Sequence, residues 1–181
     1  MQEVTEILAK ISKAEPKLAT TTLLALDGPS GAGKTTLAMK LQEHLDNSEV
    51  IHMDDLYAGW VDALNQDLYA RIYQQIFQPL LGRDAIRFQV FNWHTHLFDS
   101  WQTFTPPRYL ILEGVGAAAI PNRPWISLAI FMSVSDEVGL ERVRSRDGND
   151  VASHISAWQI MQKAHFLRND TERYSDVLIA T

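Results

Sequence analysis

The sequence contains no cysteine, which excludes disulfides, thiolate metal sites and cysteine nucleophiles. It also has no apolar run approaching the roughly 20 residues that span a bilayer, and the stretch from Met1 to Lys13 does not resemble a secretory signal. Positive charge is scarce, since 16 Lys and Arg against 22 Asp and Glu give a formal charge of -6. This balance argues against a general nucleic-acid or anionic-membrane binder. We therefore expect a cytoplasmic protein without a nucleic-acid or membrane partner.

The length of 181 residues and the hydrophobic content of 46% allow one buried core. No internal repeat or linker divides the chain, so we predict a single domain over residues 1–181. Apolar residues at helical spacing near the N-terminus predict an amphipathic helix over residues 3–14, inside a segment 1–16 that ends at Pro16.

Strand-like and helix-like segments alternate along the rest of the chain. The runs at 109–112 and 127–134 are almost continuously apolar, which is typical of parallel strands covered on both faces. This alternation predicts an α/β fold, with a doubly wound, mostly parallel sheet and helices on both faces. The predicted strands are 21–26, 49–53, 87–93, 109–112, 127–134 and 177–180, and the predicted helices are 33–45, 66–81, 135–146 and 153–168.

A glycine-rich loop lies between the strand at 21–26 and the helix that follows it. Its sequence, from Gly28 to Thr35, matches the pattern G-x-x-x-x-G-K-[ST] of a P-loop. Glycines let backbone N–H groups turn towards phosphate oxygens, Lys34 can reach the terminal phosphates, and Thr35 can ligate Mg²⁺. The alternative is a glycine-rich turn with an exposed lysine. We predict that the phosphates of ATP or a close relative bind Gly28, Ser30, Gly31, Ala32, Gly33, Lys34, Thr35 and Thr36.

Acidic residues follow two other predicted strands. Asp54 and Asp55 come after the strand at 49–53, and an in-line phosphoryl transfer needs a carboxylate near the acceptor oxygen in such a position. A turn or helix-capping role is the alternative for Asp54 and the favoured interpretation for Asp55. Glu113 ends the apolar run from Leu110, as in a Walker B strand, and would face Mg²⁺ held by Thr35; the alternative is an acid that only caps the strand.

The P-loop followed by Asp54-Asp55-Leu56-Tyr57 resembles the uridine kinase-like group of P-loop kinases, which includes phosphoribulokinases and bacterial pantothenate kinases. That group also has an apolar-Glu-Gly element similar to the one at Glu113. The resemblance implies a P-loop NTPase fold, with ATP and Mg²⁺ as cofactors. It also implies that Asp54 orients the acceptor hydroxyl and takes its proton, and that Tyr57 lies at the substrate. We count Asp54 as a third candidate Mg²⁺ ligand, beside Thr35 and Glu113.

The segment from Phe91 to His96 is similar to the Tyr-Asp-Phe-x-x-His element of uridine kinases, in which aromatic residues and a histidine surround the base. The resemblance assigns substrate binding to Phe91, Trp93 and His96. Asn92 replaces the acid of that element, and Leu97 follows where the group commonly has an arginine-containing stretch. An aromatic strand in the core is the alternative, and a strand would also put His94 and His96 at metal-ligand spacing.

Three arginines lie close together at positions 142, 144 and 146. P-loop kinases commonly carry arginines on a mobile lid that neutralises charge during transfer. Arg142 and Arg146 share a helix face at a spacing of four residues, so we predict that they act with Lys34 and Asp54 in catalysis. A solvated helix end is the alternative.

Taken together, these motifs predict an ATP- and Mg²⁺-dependent kinase that phosphorylates the hydroxyl of a small molecule, with a nucleoside as the favoured acceptor. One rival is a nucleoside monophosphate or other metabolite kinase, for which Arg71, Arg83 and Arg87 are candidate contacts to an acceptor phosphate. A rival of another class is an ATP-binding switch or regulator with little or no transfer activity. A GTPase switch would ordinarily have an Asn-Lys-x-Asp motif, which this sequence lacks.

Overall fold

Helices and strands alternate along most of the chain, as the apolar patterning predicts. The structure is a computed structural model that describes residues 2–148 and 152–181. In chain order the elements are α1 Gln2–Ile11, β1 Thr22–Asp27, α2 Lys34–Gln42, β2 Ser48–His52, α3 Gln66–Ile72, α4 Gln78–Gly82, β3 Ile86–Asn92, β4 Leu97–Phe104, β5 Tyr109–Glu113, β6 Ile126–Ser133, α5 Asp136–Asp147, α6 Ala152–Asn169, α7 Thr171–Tyr174 and β7 Val177–Ala180.

The main sheet has five strands in the order β2-β5-β1-β6-β7, and every neighbouring pair is parallel. Both faces are covered, because alternate residues of the fully buried β1 enter different apolar clusters. Leu24 and Leu26 pack with residues of α1 and α2, whereas Leu23 and Ala25 pack with residues of α3 and α6. The predicted doubly wound α/β fold is confirmed.

Helix ends differ from the predicted bounds. Helix α1 ends at Ile11, three residues early, in a turn where Ala14 N–H donates to Ile11 O. Helix α2 ends at Gln42. The predicted helix over 66–81 contains a π-helical stretch, Tyr73–Phe77, between α3 and α4. That wider turn lies just before Pro79, which has no N–H to continue the α-helical pattern.

The predicted strand over 87–93 is β3, but it does not join the main sheet. It pairs in antiparallel fashion with β4, which the sequence analysis missed. Most side chains of β4 are exposed, so the strand lacks the apolar run or clear alternation that marks a buried strand.

The order of the strands sets the position of the candidate site. β1 enters the glycine-rich loop, its neighbour β5 ends at Glu113, and β2, beyond β5, leads into a 3₁₀ turn at Met53–Asp55. Because the strands are parallel, these three segments meet at one edge of the sheet. No helix within the described ranges has the length and apolar composition needed to cross a membrane.

Candidate active site

The glycine-rich loop packs too tightly against β6 and α5 for larger residues. A Cβ atom on Gly28, where φ is +136°, would lie 2.1 Å from Met132 O. A Cβ atom on Gly31, where φ is +81°, would lie 2.4 Å from Gly139 O. Both positions therefore need glycine for space as well as for backbone conformation.

Several backbone N–H groups of the loop remain available for a ligand. The amides of Gly31, Gly33, Lys34 and Thr35 donate no hydrogen bond to another residue in the described part of the chain. Gly33 caps α2 in the left-handed conformation, so these amides lie at the start of that helix. Free amides at a helix N-terminus can bind an anion, and the binding of phosphates by this loop stays a prediction.

Ser30 is arranged differently from the expectation that it binds the nucleotide. Its N–H donates to Gln162 Oε1 at 3.1 Å, and its hydroxyl accepts from Trp158 Nε1 at 2.9 Å. Both partners belong to α6, a contact that no local pattern in the loop predicts. Ala32 N–H is also engaged, with Pro29 O at 3.2 Å.

Lys34 lies within the loop with only 7% of its surface exposed. Its Nζ donates to Gly28 O at 2.8 Å and to Pro29 O at 2.9 Å. Because an ammonium has three N–H donors, one remains for a phosphate oxygen. Burial lowers the pKa of Lys34, and the negative charge of Glu113 opposes that effect.

Glu113 and Thr35 lie together, as the Walker B-like strand predicts. The Thr35 hydroxyl donates to Glu113 Oε1 at 3.0 Å. The same oxygen is 2.5 Å from His52 Nδ1, because His52 and Glu113 are register partners on β2 and β5. Burial tends to raise the pKa of Glu113, but the hydrogen bond from His52 and the charge of Lys34 outweigh it, so the pKa is lowered.

An ionised carboxylate beside a hydroxyl is a donor set that suits Mg²⁺, which favours oxygen ligands and is usually completed by phosphates and water. Thr35 and Glu113 therefore fit the ion at the level of donor chemistry. No cluster of three or more His, Cys, Asp or Glu suited to a metal occurs in residues 2–148 and 152–181.

Asp27, the last residue of β1, holds the loop that follows β5. Its buried carboxylate accepts N–H groups from Gly28 at 2.8 Å, Gly116 at 3.0 Å and Ala118 at 2.9 Å. Burial raises its pKa to about 6, although these hydrogen bonds act in the opposite direction.

Asp54 and Asp55 occupy different surroundings. Asp54 lines a cavity beside the glycine-rich loop, and its carboxylate accepts no hydrogen bond from a described residue. Water reaches this side chain, yet the cavity walls surround it closely enough that desolvation, followed by the charge of Glu113, raises its pKa. Asp55 is half-buried and does not line the cavity. Burial raises the pKa of Asp55, and the charge of His52 opposes that effect. Of the two acids, only Asp54 therefore lines the cavity, and the roles assigned to them stay predictions.

The cavity has a volume of about 540 Å³ and joins the loop to an aromatic wall. Of the predicted substrate residues, Tyr57, Trp93 and His96 line it, together with Asp54 and Arg146. Phe91 does not; it is 5% exposed and packs behind Trp93, with ring centroids 5.2 Å apart. Trp93 Nε1 donates to Asp54 O at 3.1 Å, which joins the aromatic wall to the acid.

Sequence reasoning missed several aromatic residues of this wall. The rings of Trp60 and His154 stack with 5.3 Å between centroids and 4° between planes, and Trp60 lies 4.9 Å from the Trp93 ring. Trp158 of α6 lies 5.2 Å from the Tyr57 ring. Trp60 is on a connecting segment with no periodic pattern, and the helical spacing of α6 does not distinguish a cavity residue from a core residue.

His94 and His96 lie in the turn between β3 and β4, not on a strand. Asn92 Oδ1 accepts N–H groups from His94 at 2.9 Å and Thr95 at 3.3 Å, and Asn92 Nδ2 donates to Asp99 Oδ2 at 2.8 Å. Asn92 thus shapes the turn, and the strand spacing on which a metal pair was considered is absent.

The three clustered arginines point to three places. Arg146 lines the cavity and binds Asp147 through two nitrogens, at 2.6 and 2.7 Å. Arg142, expected to act beside it, instead donates to Gly31 O and Thr181 Oγ1, both at 3.1 Å. It lines a second cavity of about 400 Å³, together with Gly31 and Gly33 of the loop and with Thr36. Arg144 is exposed on α5. Four residues of helix bring Arg142 and Arg146 to one face, but the two side chains line different cavities.

The arginines considered for an acceptor phosphate do not line the aromatic cavity. Arg71 donates to Leu56 O at 2.7 Å and covers the Phe98 ring at 4.5 Å. Arg87 covers the Trp101 ring at 4.4 Å, and Arg83 is exposed at the end of α4.

The fold resembles that of several solved structures. A possible uridine kinase from Bacillus stearothermophilus is 18% identical, with a TM-score of 0.63 over 96% of this chain and 99% of that one. A proposed fructose transport system kinase from a Silicibacter species is 16% identical, with a TM-score of 0.58 over 98% of this chain and 97% of that one. An uncharacterized protein from Eubacterium ventriosum is 17% identical, with a TM-score of 0.52 over 88% and 87% of the two chains.

No profile of a known protein family matches the sequence, and a search among curated proteins gives no match. At the level of the fold, the neighbours confirm the predicted resemblance to P-loop kinases of the uridine kinase-like type.

Proposed function

We propose that this protein is an ATP- and Mg²⁺-dependent kinase that transfers the γ-phosphoryl group to the hydroxyl of a small molecule, with a nucleoside as the acceptor. The observation that carries the proposal is the cavity of about 540 Å³, in which Asp54, Ser30 of the phosphate loop and an aromatic wall meet. A kinase must hold an anion, a carboxylate and an acceptor within one enclosure.

The free amides of the loop and Lys34 hold the phosphates in this proposal. Their positive potential stabilises the charge that develops on the transferring group. The rest of the nucleotide lies in the cavity of about 400 Å³ that Arg142 lines. This division leaves the aromatic cavity to the acceptor.

Thr35 and Glu113 hold Mg²⁺, which supplies charge neutralisation and orientation of the phosphates when bound. Asp54, predicted as a further ligand, faces the acceptor side of the same edge. His52 fixes Glu113 from the other side through its hydrogen bond, so the carboxylate stays directed towards Thr35.

Asp54 acts on the acceptor. The acceptor oxygen forms a bond to the γ-phosphorus while the bond to the bridging oxygen breaks, ADP leaves, and the hydroxyl proton passes to the Asp54 carboxylate. Its raised pKa suits it to accept a proton. Arg146 lies across the cavity, where its charge can approach the transferring group once Asp147 releases it.

The cavity lining favours an acceptor that is flat and carries no phosphate. Trp93 and the stacked Trp60 and His154 offer aromatic faces, on which a nucleobase can stack. Tyr57, expected to lie at the substrate, is only 1% exposed, and its hydroxyl donates to Val115 O at 2.7 Å, so it supports the wall from behind. Among residues 2–148 and 152–181, no Lys or Arg other than Arg146 lines this cavity, and Arg146 already pairs with Asp147. A nucleoside monophosphate kinase would need further cations there, so this rival has less support.

The test is a coupled ADP-release assay with ATP and Mg²⁺ against a panel of nucleosides, nucleoside monophosphates, pantothenate and sugars. The proposal expects release that depends on a nucleoside. Release that needs no acceptor would identify a switch or hydrolase, and release with a monophosphate alone would favour the metabolite-kinase rival.

A further inference from the structure

Two side chains of helix α6 form hydrogen bonds to one residue of the phosphate loop, Ser30. Trp158 and Gln162 lie four positions apart, one helical turn, and both bind Ser30: the indole N–H donates to the Ser30 hydroxyl at 2.9 Å, and the Gln162 oxygen accepts the Ser30 N–H at 3.1 Å. Both side chains are buried, with 5% and 2% of their surface exposed. Because unpaired buried polar groups are costly, these bonds tie the position of the loop to that of the helix.

Trp158 also belongs to the acceptor cavity. Its ring lines the cavity beside Asp54 and lies 5.2 Å from the Tyr57 ring and 5.8 Å from the Trp60 ring. One indole therefore contacts the aromatic wall with its ring and the phosphate loop with its N–H.

The loop has little freedom to move independently of these contacts. On its other side, a Cβ atom on Gly139 of α5 would lie 2.8 Å from Ser30 O. Ser30 is thus held between α5 and α6, so a shift of the Trp158 ring displaces the segment that begins the anion site.

We propose that Trp158 and Gln162 are positioning residues that couple the acceptor cavity to the phosphate loop, so that acceptor and nucleotide each strengthen binding of the other. The coupling rests on the proposed function, because it assigns the aromatic cavity to the acceptor. It is reciprocal, so a nucleotide bound by the loop also changes the surroundings of Trp158.

The first experiment needs no acceptor. In protein labelled with ¹⁵N-tryptophan, five indole N–H signals are expected from the five tryptophans, and Trp158→Phe identifies one of them by its loss. Addition of Mg²⁺ and ADP should move the Trp158 signal and leave that of Trp101 in place. In Ser30→Ala the displacement should fall to less than half. A Trp158 signal that stays fixed at saturating ADP, or moves equally in Ser30→Ala, would overturn the coupling.

The second experiment measures the coupling itself, with uridine as the acceptor probe. The KM for ATP should fall as uridine approaches saturation in the wild-type protein. Trp158→Phe, Gln162→Met and Ser30→Ala should each reduce this effect by about three- to tenfold, the range expected for one neutral hydrogen bond. Trp101→Phe, on the exposed hairpin, is the matched control and should leave it unchanged.

Trp158→Phe and Ser30→Ala remove the same hydrogen bond, between the indole N–H and the Ser30 hydroxyl, so their double variant should lose no more of the effect than either single variant. Additive losses would contradict the link. If ADP moves the Trp158 signal while no acceptor of the panel is phosphorylated, the proposed function fails and the link between loop and helix stands.

Discussion

Replacement of His165 by glutamine should change how stability depends on pH. His165 is 3% exposed on α6, with its ring beside Tyr69 and Asn169. Burial, with the nearby charge of Arg168, lowers its pKa from 6.5 to about 4. The folded protein therefore keeps this ring neutral at pH values where the unfolded chain protonates it.

The sign and size follow from this difference. Between pH 6.5 and about 4 the unfolded state binds the extra proton, so His165 makes the free energy of unfolding fall as the pH falls. A pKa difference of about 2.5, at 1.36 kcal/mol per pKa unit, corresponds to about 3 kcal/mol over that window.

Urea unfolding of the wild-type protein and of His165→Gln at pH values from 4 to 7 measures the contribution of His165 to the free energy of unfolding. The stability of the wild type relative to the variant should rise by about 3 kcal/mol from pH 4 to pH 7. Lost packing adds a difference that is the same at every pH. A difference between the two proteins that stays constant within about 0.5 kcal/mol would refute the buried neutral histidine.

Asp27→Asn should change the pH dependence of stability in the opposite direction. Burial raises the pKa of Asp27 from 3.8 to about 6, so the folded state holds the proton more tightly, and this contribution to stability is lost as the pH rises from 3.8 through 6. The wild type should lose about 3 kcal/mol relative to Asp27→Asn over that window. In the wild type the two groups largely cancel, so either variant alone should reveal a slope.

Five further substitutions test the site by turnover and thermal melting. Lys34→Ala should abolish transfer, because it removes the charge at the phosphates and the hydrogen bonds to Gly28 O and Pro29 O, and thermal melting separates this loss from unfolding; more than about a tenth of wild-type turnover would contradict this. Asp54→Asn should lower turnover by roughly 10²- to 10⁴-fold and Asp55→Asn by less, since Asp54 alone of the two lines the cavity; equal losses would refute the assignment. Trp93→Ala should raise the acceptor KM by about 5- to 150-fold with the ATP KM unchanged. A stable variant with an unchanged acceptor KM would show that Trp93 does not contact the acceptor. His96→Ala should alter discrimination among bases.

Local sequence patterns predicted the parts of the fold that depend on local or periodic signals. The apolar runs of β5 and β6 identify covered strands. Ser135, a residue type common at helix N-caps, caps α5, since its hydroxyl accepts the Val138 N–H at 3.4 Å. The phosphate loop is recognisable because its glycines are required by close backbone approaches. These features can be predicted from neighbouring residues in the sequence alone.

The missed features arise from tertiary contacts. Nothing near Ser30 in the sequence shows that α6 takes its N–H and hydroxyl, 132 and 128 residues away along the chain. Helical spacing placed Arg142 beside Arg146, but the packing of the loop against α5 sends Arg142 to Gly31 O. Trp60 joins the cavity through stacking on His154, which no local pattern encodes.

The most direct test of phosphoryl transfer follows the γ-phosphate itself. Protein, Mg²⁺ and ATP labelled at the γ-phosphate are incubated with the acceptor found by the ADP-release assay, and the label is traced. The account predicts label on the acceptor hydroxyl in a one-to-one ratio with ADP, and roughly 10²- to 10⁴-fold less in Asp54→Asn. Label recovered only as inorganic phosphate, at a rate unchanged by the acceptor, would contradict it.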